Sequence, residues 1–106
     1  MSEPRRGEVW LPDLGLAAKV RPCLVVSVPA SDTERALATV IPHTTALRGT
    51  KFECTVAVAF LKSGAFDAQG LVSVPHAKLL RPLGVLREGQ LNQVEGVLRL
   101  WLGLET

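Results

Sequence analysis

Val20-Arg21-Pro22-Cys23-Leu24-Val25-Val26 is the stretch that decides the fold. Pro22 holds the chain extended at the start of a β-prone run, and that run is apolar enough to be buried on both faces. A strand opening of this kind fixes the guanidinium of Arg21 at the rim of a core, where it can face a ligand while its backbone is immobilised. Two more segments have the same character, Arg6-Gly7-Glu8-Val9-Trp10-Leu11 before it and Val40-Ile41-Pro42-His43-Thr44-Thr45 after it. Each couples a β-prone run to one oddly placed polar residue at its end.

Around these segments the chain continues in short extended pieces. Residues 8–13 alternate as a strand ended by Pro12-Asp13-Leu14-Gly15, residues 21–28 form a buried strand closed by Pro29, and residues 37–42 rise again. Residues 52–58 alternate as a half-exposed strand, residues 60–69 read as loop or a short turn of helix, and residues 70–75 as strand. Residues 77–80 make a short strand before Pro82. The period then changes: Leu91, Val94, Leu98, Trp101 and Leu102 form an apolar stripe on a helix preceded by Gly89 and stopped by Gly103. Gly96 inside that helix costs about 1 kcal/mol against Ala and is expected to permit close packing. The pattern is mainly β within an α+β class, a small barrel or strongly bent sheet with a covering helix.

Composition bounds what such a domain can do. A chain of 106 residues makes one domain, residues 1–106, and 47% hydrophobic against 21% charged residues describes a compact soluble protein. A net charge of +2 supplies no strong nucleic-acid field, so anion binding has to come from local clustering. With no Tyr, and only Trp10, Trp101, Phe52, Phe60 and Phe66 as aromatics, a sheet of exposed rings stacking on bases is not expected. No apolar run is long enough to span a bilayer, and residues 1–6 show no targeting segment, so a cytoplasmic protein with no membrane partner is expected. Cys23 and Cys54 lie in strand-like runs without metal-type spacing, which fits core thiols in a reducing cytosol.

In order and spacing the three segments, with Leu102-Gly103-Leu104 at the end, resemble the PemK/MazF family of toxin ribonucleases over nearly the whole chain. The resemblance implies an SH3-like barrel with a C-terminal helix. It also implies the toxin of a type II toxin–antitoxin pair, a homodimer that binds the C-terminal, extended segment of its antitoxin and joins DNA only as that complex. The implied activity is metal-independent cleavage of single-stranded RNA, with no cofactor, leaving a 2′,3′-cyclic phosphate and a 5′-hydroxyl. The family's catalytic pair falls on Arg21 and Thr44, with Thr45 as the alternative one register step away.

The chemistry agrees with these residue types. RNA carries its own nucleophile, so an enzyme has to align the 2′-hydroxyl, neutralise the phosphoryl oxygens and manage two proton transfers. Arginine presents a planar fork to phosphate, and a threonine hydroxyl can donate to a non-bridging oxygen. His43 has an unperturbed pKa suited to proton transfer, but strand alternation turns it away from the face of Thr44. Glu8 is a candidate to pair with and position an arginine, and His76 reads as a surface or dimer-interface residue. Lys19, Arg48 and Lys51 are the candidate RNA-binding cations. The connection Gly15-Leu16-Ala17-Ala18-Lys19-Val20 departs from the family, which carries a longer loop there with Glu and Gln; this chain has no counterparts to them. Three rival readings follow: a catalytically degenerate module that binds RNA or antitoxin; a gyrase poison of the CcdB type, which needs neither Arg21-Pro22 nor Thr44-Thr45; and an SH3-like adaptor, disfavoured because the chain is poor in aromatics for a proline-binding groove.

Overall fold

The computed structural model describes residues 3–13 and 20–104. Seven strands form one open antiparallel sheet: β1 (Glu8–Pro12), β2 (Cys23–Val25), β3 (Leu37–Thr44), β4 (Glu53–Cys54), β5 (Ala65–Asp67), β6 (Val72–Pro75) and β7 (Leu79–Val85). They run in the order β4-β5-β3-β2-β1-β7, with β6 also on β3. One edge of β3 is shared, residues 37–40 pairing with β6 and residues 43–44 with β5, while its other edge pairs with β2. Among the described residues β4 and β7 do not pair, so the expected barrel stays unclosed although the class is as expected.

The period-2 alternation explains the two cores. Val9, Leu24 and Ile41 point to one face with Phe66, and the helix α1 (Glu88–Leu102) lays Leu91 and Val94 over them. Trp10, Cys23, Val25, Ala38 and Val40 point to the other face, where Val74 of β6 and Leu79 of β7 join them. β2 is therefore buried on both sides, as its unbroken apolar run requires. Burying seven large side chains to under 2% exposure, at about 1.5–3 kcal/mol each, supplies the main drive to fold.

α1 starts with half of a capping box, in which the Arg87 N–H donates to Gln90 Oε1 at 2.7 Å. Gln90 Nε2 donates in turn to the Ala57 carbonyl at 2.7 Å, tying the helix start to the sheet. It ends in a Schellman motif: Gly103 has φ 70°, the Leu104 N–H reaches the Arg99 carbonyl and the Gly103 N–H reaches that of Leu100. An Arg6–Glu95 ion pair anchors the N-terminal segment to the helix. No helix among the described residues is long and apolar enough to cross a membrane.

Four local expectations are corrected. Within residues 52–58 only Glu53–Cys54 pairs, because β4 has a partner only where β5 faces it. Within residues 60–69 the strand β5 forms instead of loop, held between β3 and β4. Pro82 does not end a strand: residues 76–78 are a 3₁₀ turn and β7 runs through Pro82, which an edge strand tolerates beside an irregular register. Gly96 packs against nothing, since a Cβ there would meet no atom within 4 Å.

Candidate active site

A cleft of about 380 Å³ opens where five segments meet at one end of the sheet. β1 and β7 contribute Leu11, Arg81 and Leu83; the approach to β2 contributes Val20, Arg21 and Pro22. The end of β3 contributes His43 and Thr45, and the loop before β5 contributes Phe60, Leu61 and Lys62. Among the described residues its charged lining consists of Arg21, Lys62 and Arg81, with no carboxylate, on otherwise largely apolar walls. Such a site attracts an anion and strengthens the contacts made to it by limiting water.

Register explains how Arg21 reaches this place. Cys23 stands opposite Pro42, and the His43 N–H donates to the Pro22 carbonyl at 2.8 Å, continuing the pairing one step past the ladder. One step further, Arg21 comes level with Thr44 at the strand mouth. Pro22 has no N–H to complete that pairing, so the chain is free to turn the arginine toward the cleft.

Thr44 itself is only 7% exposed and is not among the cleft-lining residues. Its Oγ1 accepts the Ala46 N–H at 3.0 Å, a local turn of the kind that Ser and Thr favour. Thr45, the register alternative, is exposed and lines the cleft with Arg21. The strand does persist to Thr44 and separates the faces of His43 and Thr44, but it is His43 that lines the cleft.

His43 is 4% exposed, and its ring meets the Phe66 ring edge-on with centroids 5.0 Å apart. Burial lowers its pKa from the ordinary 6.5, which favours neutral imidazole at neutral pH. Gly64 makes room for this arrangement: a Cβ there would lie 2.2 Å from the Thr44 carbonyl oxygen and 2.8 Å from His43 Cε1.

The other candidates lie elsewhere. Glu8 pairs with no guanidinium among the described residues; its Oε1 accepts the Arg5 N–H at 2.7 Å and the Trp10 indole N–H at 3.0 Å, bracing the start of β1. Arg48 and Lys51 are not in the cleft lining. The N–H groups of Arg48, Gly49 and Thr50 wrap the Glu53 carboxylate, and the Lys51 ammonium stands 5.3 Å from the Phe52 ring centroid. Lys19 and residues 15–19 of the short connection lie outside the described residues. His76 Nε2 is 3.2 Å from the Leu37 carbonyl, away from the cleft. Cys23 and Cys54 are free and buried, and burial pushes the Cys23 thiol up to about 11, so neither is a ready nucleophile.

Sequence reading missed Lys62 and Arg81 as members of the site. Arg81-Pro82 repeats the Arg21-Pro22 step and was a usable signal; Lys62, in a loop without pattern, had none.

A family model for the PemK-like, MazF-like toxin of type II toxin–antitoxin systems matches residues 5–102. Among solved structures, MazF from Deinococcus radiodurans is 28% identical, with 97% of this chain and 99% of that one covered and a TM-score of 0.79. The same organism's MazE–MazF structure is 28% identical over 99% of this chain and 100% of that one, also at 0.79. An endoribonuclease in complex with its cognate antitoxin, from a mycobacterial species, shares the fold at a TM-score of 0.83 and 24% identity, over 97% and 98% of the two chains.

Proposed function

Because the chain belongs to the PemK-like, MazF-like toxin family of type II toxin–antitoxin systems, we propose that it is an endoribonuclease that cuts single-stranded RNA in this cleft. The observation that carries the reading is the meeting of Arg21, Thr45, Lys62 and Arg81 in one cleft, with no carboxylate among its described lining residues. Arg21 holds two oxygens of the scissile phosphate with its planar fork, so it grips the dianionic transition state more tightly than the ground state. The Thr44-Thr45 doublet supplies a hydroxyl to the same phosphate: the family likeness points to Thr44 and the cleft lining to Thr45. Lys62 and Arg81 hold the neighbouring phosphates and keep the strand extended across the cleft. The RNA's own 2′-hydroxyl is the nucleophile, so the reaction leaves a 2′,3′-cyclic phosphate and a 5′-hydroxyl and calls for no metal.

The solved MazE–MazF and endoribonuclease–antitoxin structures place relatives with their antitoxins. By the same likeness this chain binds an antitoxin, through that partner's extended C-terminal segment, and works as a homodimer in the cytosol. Val72, Leu80, Val85 and the helix end Leu100, Trp101 and Leu102 remain exposed, enough apolar surface for such contacts.

The test uses a mapped oligoribonucleotide and its copy with one deoxyribose before the scissile phosphate. Wild type should cut the first in excess chelator and leave the second intact. Arg21→Ala should lose about 10²–10³-fold, near 3–4 kcal/mol of transition-state stabilisation, and Arg21→Lys should regain little of it. Separate Thr44→Ala and Thr45→Ala variants identify the hydroxyl. Cleavage of the deoxy copy, or full activity of Arg21→Ala, would overturn the mechanism.

A further inference from the structure

We propose that His43 is the general base of this cleft, its imidazole taking the 2′-hydroxyl proton as O2′ attacks phosphorus. The inference rests on the ribonuclease reading and adds to it the proton acceptor that Arg21 and a threonine do not supply.

Three observations carry it. First, His43 lines the cleft together with Arg21 and Thr45 although its ring is almost entirely enclosed. Second, the ring is held from several sides: by its backbone bond to Pro22, by Phe66 at its edge and by the bare backbone of Gly64 against Cε1. Third, its ring nitrogens carry no hydrogen bond and are not sealed off. Among the described residues no enclosed side-chain nitrogen or oxygen lacks a hydrogen-bond partner, and no protein group bonds the His43 ring. Its nitrogens are therefore uncommitted and keep some exposure, in a residue that lines the cleft.

The electrostatics suit a base rather than an acid. The charged groups that line the cleft with His43 are Arg21 from the approach to β2, Lys62 from the loop before β5 and Arg81 from β7. Among the described residues no carboxylate lines the cleft to stabilise an imidazolium. Burial lowers the imidazole pKa, which favours the neutral form at rest. In the step, the proton passes from O2′ to an imidazole nitrogen as the O2′–P bond forms. The P–O5′ bond breaks with its electron pair on O5′, which takes a proton from water. The imidazolium then returns its proton to the hydroxide so formed, and nothing is oxidised or reduced.

The test measures kcat/KM against pH on the mapped oligoribonucleotide for wild type, His43→Gln, His43→Ala and Arg21→Ala. Wild type should show one rising limb with its midpoint below 6.5, level by neutral pH. His43→Gln should lose that limb and about 10²–10⁴-fold in rate. Added imidazole should restore His43→Ala in proportion to its free-base fraction. His43→Gln within a few-fold of wild type, or still showing the limb, while Arg21→Ala is inactive, overturns this inference and spares the ribonuclease reading. Full activity of Arg21→Ala, or no cleavage by wild type, overturns that reading and this inference with it. If the His43 variants do not fold, wild type decides alone. The His43 imidazole resonances are then followed against pH by NMR, and their midpoint has to coincide with the kinetic limb.

Discussion

Replacing Gly64 by alanine adds one methyl group where the site has no space for it. The new Cβ would stand 2.2 Å from the Thr44 carbonyl oxygen, 3.0 Å from its carbon and 2.8 Å from His43 Cε1. Real Cβ contacts essentially never fall under 3.0 Å, so the two backbones have to part by about 0.8 Å or more. Thr44 stands opposite Ala65 in the β3–β5 ladder, and its carbonyl cannot swing aside without straining that pairing. Overpacking of this kind costs about 1–3 kcal/mol. At roughly 4–8 °C per kcal/mol for a domain of this size, the melting temperature of Gly64→Ala should drop by about 5–20 °C. The same displacement moves His43 and the Thr44-Thr45 turn relative to Arg21, and a shift approaching 1 Å in a catalytic constellation costs about 10²-fold in rate. Thermal unfolding followed by circular dichroism reads the first effect, and cleavage assayed well below the melting temperature reads the second. A variant that melts within about 2 °C of wild type and cuts RNA at the wild-type rate would refute the claim that Gly64 is needed for space.

Two further perturbations probe other parts of the fold. Gly96 lies exposed in the middle of α1 with nothing near its missing Cβ, so Gly96→Ala should stabilise by up to about 1 kcal/mol; an unchanged or lower melting temperature contradicts this. The Glu53 carboxyl is held below its ordinary value of 4.5 first by the Arg48 backbone N–H, with those of Thr50 and Gly49 adding to it. A depressed carboxyl contributes stability above its unfolded value and loses it as pH falls through the folded one, so Glu53→Gln should lower the urea midpoint at neutral pH and match wild type in strong acid. A gap that persists unchanged at low pH counts against that account.

Local physics in the sequence was enough to place β1, β2 and β3, the double burial of Cys23-Leu24-Val25, and the helix with its stop at Gly103, because each depends on a run or period inside one segment. Arg21 at a rim was legible for the same reason: Pro22 acts on its own neighbours. β5 was not legible, since three residues carry no period and exist as a strand only because β3 and β4 pair with them. Residues 55–58 looked like strand and found no partner. Alternation separated His43 from Thr44 correctly, but a period of two does not say which face opens on a cleft; that was decided when β1, β7 and the loop carrying Lys62 came together around the end of β3. Lys62 and Arg81 join Arg21 from distant parts of the chain, so their combined charge exists only in the folded protein. Residue types and local backbone were thus readable from the chain, while the composition of the site depended on long-range pairings that no single segment encodes.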